Sequence, residues 1–313
     1  MTMNIRQARV IDPILTTVVQ GYKNAKCVGN VLFPRVPVPV RGGTVLEFGR
    51  EAFRLANSRR SPGADTTMIS FGYEGKPYAL KNDALDAPLP RELQQDAQSV
   101  PHIDLGQRAI NIVLQKLSLG LEYEQAQYAS DPANYGDKNK EALAGSDQWS
   151  DPACDPAAII DAAKEQVRQS AGVDPNRMVI GKPTFNVLKR HPKIKDNFKY
   201  TSSDSITADM LAAYFDLDTV AVGAAAILDG PEDGAKFVDV WGNNAVLAYT
   251  PDDPSGFEEP SYGYTYTLEG HPFAEQPYWM GQRKSWIYGA VDERAPVLTG
   301  IASGFLLQNV IAG

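Results

Sequence analysis

Apolar residues between positions 103 and 130 recur at helical spacing, the clearest periodic signal in the chain. Ile103, Ile110, Leu114, Leu117, Leu121 and Tyr128 are separated by seven, four, three, four and seven positions, which places them on one helical face. At ~1.5 Å per residue this helix is about 40 Å long, more than twice the usual length, and has the proportions of a strut. Gly106 and Gly120 weaken it. Alternation replaces that period at 44–55 and 67–80, two strands joined by a turn-forming stretch, 56–65, that holds Pro62-Gly63. At ~3.3 Å per residue the hairpin projects about 40 Å. Two strands of that length are marginal alone, so the hairpin is expected to rest on another surface.

Residues 1–40 lack the rhythm of a packed domain. A short helix candidate at 13–22 precedes an extended run in which Pro34, Pro37 and Pro39 remove ladder donors. Leu32, Phe33, Val36 and Val38 lie in this run and are costly to leave in water, so the arm is expected along another surface, including that of another copy. Beyond the hairpin, Ala87-Pro88-Leu89-Pro90 and then Pro101 predict breaks. Residues 135–151 are polar and turn-rich around Trp149. Asp155-Pro156 then supplies a helix cap and first position, with Gly172 as the stop. A strand at 177–181, helices at 183–191 and 207–215, and strands at 219–228, 236–240 and 245–249 complete an α/β region over 153–250. The remaining residues return to strands: Tyr262, Tyr264, Tyr266 and Leu268 alternate, followed by 285–291 and 302–311. Pairing these with the long-helix region makes 153–250 an insertion in a discontinuous domain, an α+β architecture.

At 313 residues the chain is long enough for one or two cores. No window holds the ~18 unbroken apolar residues of a membrane span, and no apolar run with a cleavage site follows the N-terminus, so neither membrane insertion nor export is expected. Cys27 and Cys154 have no pairing motif, which fits a reducing compartment. Charge changes the picture more. Residues 1–82 hold 12 Lys or Arg and 5 Asp or Glu, a sum of +7, whereas the remaining residues hold 18 and 33, a sum of −15. Arg41, Arg50, Arg54, Arg59 and Arg60 are interleaved with strand-like hydrophobics instead of forming a basic tail, which favours a basic extension meeting an acidic neighbour over a nucleic-acid arm. Unevenly distributed surface charge with no partner is the plainer reading.

Concentrated chemistry is not visible in this sequence. His102, His191 and His271 are far apart, and the latter two precede Pro192 and Pro272, which suits turns better than metal ligation. No glycine-rich segment has phosphate-loop spacing. Asp137, Asn139 and Glu141 alternate like calcium ligands, but Ala142 and Gln148 stand where glycine and glutamate are needed. Ser303 lies in a failed nucleophile-elbow pattern. The pairs Glu258-Glu259, Asp252-Asp253 and Asp292-Glu293 read as solvated turns. The aromatic groups at 262–266 and 278–288 read as sheet core first and as a ligand platform or subunit contact second. No catalytic, cofactor-binding or metal-ligating residue is expected.

Arm, basic hairpin, long helix, inserted α/β region and closing strands, in that order, resemble the major capsid proteins of tailed bacteriophages. So do Asp12-Pro13 with Gly21-Tyr22-Lys23-Asn24, Leu32-Phe33-Pro34-Arg35-Val36-Pro37-Val38 and Phe48-Gly49-Arg50-Glu51-Ala52-Phe53. Pro192-Lys193-Ile194, Phe198-Lys199-Tyr200-Thr201 and Asp239-Val240-Trp241-Gly242-Asn243 extend the resemblance over nearly the whole chain. It implies the Hong Kong-type capsid fold shared with encapsulins and the herpesvirus capsid floor. The arm is then 1–40, the extended loop 41–81, the peripheral domain 82–152 plus 251–313 with a spine helix at about 103–130, and the axial domain 153–250. Copies are expected to form hexamers and pentamers of an icosahedral shell around double-stranded DNA, without sequence-specific contact. A separate scaffold, a portal and a decoration protein are the implied partners, with assembly in the host cytoplasm. Subunit contacts are expected at Arg50, Arg54, Arg59 and Arg60 and at Leu32, Phe33, Val36 and Val38. An encapsulin-like compartment, a tail or decoration protein, and an enzyme with dispersed carboxylates are the alternatives.

Overall fold

The computed structural model describes residues 26–46, 75–98, 104–198, 206–230, 234–252 and 261–312, together with 12, 15, 16, 19, 24 and 59. Its strands are β1 (Arg35–Val38), β2 (Gly42–Leu46), β3 (Gly75–Ala79), β4 (Lys81–Pro90), β5 (Lys140–Ala142), β6 (Arg177–Gly181), β7 (Thr219–Gly223) and β8 (Ala226–Asp229). They continue with β9 (Lys236–Asp239), β10 (Ala245–Ala248), β11 (Gly263–Leu268), β12 (Phe273–Ala274), β13 (Tyr278–Met280), β14 (Ser285–Leu298) and β15 (Gly304–Gln308). The helices are α1 (Arg91–Gln98), α2 (Leu105–Ser130), α3 (Pro156–Ala171), α4 (Lys182–Leu188), α5 (Pro192–Asn197) and α6 (Ala208–Tyr214).

The long helix forms as its periodicity predicts. Asp104 caps α2 by accepting a hydrogen bond from the Gln107 N–H at 3.1 Å. Ile110, Leu114, Leu117 and Leu121 are buried, whereas Ile103 lies outside the described residues and Tyr128, expected on the same face, is exposed. The buried face changes because the helix changes partners. Its first half packs Ile110, Val113, Leu114 and Leu117 with Ala274 and Ala290, while Ala126 and Ala129 pack with Leu32, Phe33, Val179 and Trp241. The helix runs unbroken through Gly106 and Gly120. At Gly106 a Cβ would lie 2.8 Å from the Tyr288 ring, so the missing side chain lets α2 approach β14 closely.

Strand β14 organises a six-stranded sheet. It pairs antiparallel with β4 over ten residues, from Ser285 opposite Pro90 to Arg294 opposite Lys81. The break expected at 87–90 is therefore replaced by a strand. Proline survives there because β4 has no second strand partner among the described residues, so outward-facing ladder donors are not required. On its other side β14 pairs with β11, β12 and β13.

β1 joins the same sheet, parallel to β11, with Arg35 opposite Thr265 and Val38 opposite Leu268. This corrects the expectation for the apolar arm residues: Leu32, Phe33, Val36 and Val38 are buried within their own chain and are not offered to a neighbour. Phe33 lies 5.5 Å from Tyr262 between ring centroids, and Val36 and Val38 cluster with Tyr78, Tyr264 and Tyr266. Each such burial is worth about 1.5–3 kcal/mol and offsets the entropy lost in ordering the arm.

The second sheet has the order β5-β15-β10-β6-β7. The expected helix over 156–171 covers it, capped by Asp155 and stopped by Gly172, whose φ is +74°. The α/β region over 153–250 is not self-contained, however. β15 pairs antiparallel with β10, and β5 runs parallel beside β15, because β10 would otherwise present a bare apolar edge. The strand expected over 219–228 divides into β7, in this sheet, and β8, which pairs only with β9. The long hairpin begins as β2 against β3, Gly42 opposite Ala79; its remainder, 47–58 and 60–74, lies outside the described residues.

Candidate assembly surface

The root of the long hairpin is fastened by a strand that carries three successive charges. Asp292, Glu293 and Arg294 are all buried in β14, not in a solvated turn as the sequence suggested for the first two. Pairing tolerates them because alternate residues point to opposite faces and each meets an opposite charge. On one face Asp292 Oδ2 accepts from Arg294 at 2.8 Å and from Arg35 at 3.1 Å. Arg294 also donates to the Leu117 carbonyl of α2 at 2.7 Å, and its Nε lies 3.2 Å from Asp83 Oδ2. On the other face Glu293 receives both nitrogens of the Arg41 fork, at 2.6 and 3.0 Å, and Asn82 at 3.3 Å. The Arg41 hydrogen bonds hold the Glu293 carboxyl below its usual range. Arg41 immediately precedes β2, so this fork sets where the hairpin leaves the body.

A second joint centres on Glu122, buried on α2. Its carboxylate accepts from the Val28 and Gly29 N–H groups, each at 2.8 Å, and from the Trp241 indole at 2.5 Å. One side chain thus ties arm, spine and the β9–β10 connection together. Burial raises its pKa, and the three hydrogen bonds oppose the rise. Next to it, Gln125 donates to Asn30 and Thr265. A cavity of about 720 Å3 opens between arm, α2 and sheet. Gln125 Oε1, Asp292 Oδ1 and both His271 ring nitrogens belong to cavity-lining residues and lack hydrogen-bond partners among the described residues, so the space is polar enough to hold water. Cys27 also lines it, its thiol pushed up to about 12 by burial and then by Glu122, which makes it a poor nucleophile.

Of the basic candidates, Arg59 is exposed, while Arg50, Arg54 and Arg60 lie outside the described residues. The sequence reading placed Arg41 only among the basic residues of the hairpin and Glu293 in a solvated turn, and singled out neither Arg294 nor Glu122. The available signal was Arg35 and Arg41 flanking β1 and a charged triplet inside an apolar strand.

Other motifs have structural roles. Asn139 is buried and donates to the Ala302 and Gly304 carbonyls. Ser303 donates to the Gly300 carbonyl. His191 sits between α4 and α5, its Nε2 3.2 Å from the Asp151 carbonyl. His271 stands in the β11–β12 turn, and His102 lies outside the described residues. Asp252 is an exposed partner of Arg177, while Asp253 and Glu258-Glu259 lie outside the described residues. Tyr262, Tyr264 and Tyr266 are core, as their alternation suggested, whereas Tyr278 and Trp279 remain partly exposed.

Residues 133–289 match the family model described as phage major capsid protein E. The major capsid protein of Burkholderia phage BcepMu is 32% identical over 310 residues, covering 98% of each chain. A crystallised phage-related protein from Bordetella bronchiseptica RB50 is 46% identical, covers 97% of this chain and 99% of that one, and superposes with a TM-score of 0.83. An encapsulin complex from Synechococcus elongatus PCC 7942, 11% identical, covers 100% of this chain and 93% of that one at a TM-score of 0.52, a likeness of fold alone. The α+β fold is therefore the Hong Kong-type capsid fold, and the end-to-end sequence relative separates a phage capsid from an encapsulin-like compartment. This chain belongs to the family of phage major capsid proteins, structural components of the virion.

Proposed function

We propose that copies of this chain form the hexamers and pentamers of an icosahedral head shell enclosing double-stranded DNA, and that the subunit acts by assembly instead of catalysis. The observation that carries this reading is the match to a major capsid protein over 98% of both chains. The four-part division into arm 1–40, extended loop 41–81, peripheral domain 82–152 with 251–313, and axial domain 153–250 is retained in outline. The axial sheet is completed by β5 and β15, and β1 of the arm belongs to the peripheral sheet. The basic hairpin, including Arg50, Arg54, Arg59 and Arg60, is read as lying over an acidic body of the next copy, where charge complementarity sets orientation. A separate scaffold and a portal, and a decoration protein on heads that carry one, are the partner classes that go with this role, with assembly in the host cytoplasm and no sequence-specific DNA contact.

Electron microscopy of the purified chain, alone and coexpressed with its neighbouring phage genes, tests the reading. Closed shells or lattices of rings are expected. A chain that remains monomeric or forms only a small closed oligomer under both conditions overturns it.

A further inference from the structure

We propose that the ribbon formed by β8 and β9 is the ring-closing contact of the subunit, seating head to tail between two copies of this chain. The proposal rests on the assembly reading above and names the surface through which one copy meets the next.

The ribbon is a separate two-stranded sheet. Its register sets Leu228 opposite Phe237 and Ile227 opposite Val238. Successive residues of a strand point to opposite faces, so each face carries one apolar cross-strand pair. Leu228 is 60% exposed, Phe237 77% and Val238 44%. Ile227 is only partly buried, and none of the four packs in the chain's apolar clusters among the described residues. Two isolated strands are marginal in water, and clustered large apolar side chains rarely stay uncovered.

The occupant is a second copy. Family membership places identical chains side by side, and the form of the ribbon selects how they meet. A surface with one bare face fits its own equivalent about a two-fold axis. A ribbon with two different bare faces cannot satisfy both that way; it fits contacts in which one face of each copy meets the other face of the next, and such contacts make a ring when the rotation between copies closes. The faces are complementary in character: one presents the large Leu228–Phe237 pair, the other the smaller branched Ile227–Val238 pair with Asp229 and Lys236 beside it.

Leu228→Cys and Val238→Cys, made singly and together in the full chain, test this after oxidation of assembled shells. The native thiols provide a quiet background, since burial raises both Cys27 and Cys154. The double variant should give a ladder of linked subunits on non-reducing denaturing gels, and each single variant should stay monomeric. Shells whose double variant shows no bands above the monomer overturn the proposal, as do single variants that give dimers, which would mean like face on like face. Links to a different protein in coexpressed shells overturn the choice of occupant. A Phe237→Ser variant should lower shell yield at least tenfold while moving the melting midpoint of the unassembled chain by no more than about 2 °C. Unchanged yield also counts against the ribbon. Failure of the unsubstituted chain to form rings or shells defeats the assembly reading instead, so the two failures are distinguishable.

Discussion

Arg294 serves three masters at once: Asp292 beside it, Asp83 across β4 and the Leu117 carbonyl of the spine. Removing it leaves two carboxylates facing each other, one of them fully enclosed, so Arg294→Ala should destabilise the unassembled chain by about 3–5 kcal/mol in urea unfolding. A loss below about 1 kcal/mol would show that water already screens the site. Glu293 and Glu122 respond to pH with opposite signs. Glu293, held below its usual value of 4.5, contributes stability that is present above that value and lost as pH falls through the lower folded value. Glu122 is raised above 4.5, so the folded state binds its proton more tightly and gains stability as pH falls from neutrality through the raised value. Glu293→Gln should therefore erase an advantage seen at pH 7 and absent in strong acid. Glu122→Gln should open a stability gap that widens as pH falls from neutrality through the raised value, read from urea midpoints across a pH series. A gap that narrows over that interval would contradict the assignment.

At the scale of elements, the strand-and-helix code was legible wherever local signals suffice. The spine and the Asp155–Gly172 helix needed only spacing, a cap and a stop. Legibility failed where the deciding partner is remote in sequence or where local residues argue against the element. β4 was hidden by Pro88 and Pro90, which an edge strand accepts, and the burial of Asp292 and Glu293 was hidden because Arg35 and Arg41, which pair with them, lie more than 200 positions away. The apolar arm was misassigned for the same reason: its acceptor, β11, is remote in sequence, so its hydrophobicity alone gave no choice between self and neighbour. The arm's seat makes a further prediction. A Cβ at Gly29 would lie 2.1 Å from Gln125 Oε1, within the segment that Glu122 holds, so Gly29→Ala should cost about 1–3 kcal/mol. Native-state hydrogen exchange should show the loss first at the Val28 and Gly29 amides; uniform loss across the fold would argue against a local joint. On the hairpin, Arg59→Glu with Arg60→Glu should reduce shell formation and leave the melting of the unassembled chain unchanged, measured by microscopy and calorimetry side by side. Normal shells at both low and moderate salt would remove these arginines from the interface.

Across the whole molecule, the first 82 residues sum to +7 and the rest to −15; Arg35, Arg41 and Lys81 meet acids of their own chain, and the proposed assembly gives the hairpin arginines an acidic partner on the next copy. Assembly monitored by light scattering should slow at least tenfold between about 0.05 and 0.5 M salt, as the screening length shrinks toward a few ångströms, and the doubly reversed variant should respond less. Salt-independent assembly would place the driving force in apolar contact alone. The charged stretch of β14 has a mechanical consequence as well. Within three residues it grips the arm through Arg35, the hairpin root through Arg41, the edge strand through Asp83 and the spine through the Leu117 carbonyl. A pull on the hairpin root at Arg41 is therefore shared at once with the arm, the edge strand and the spine. The body can turn with the hairpin or resist it, but it cannot ignore it.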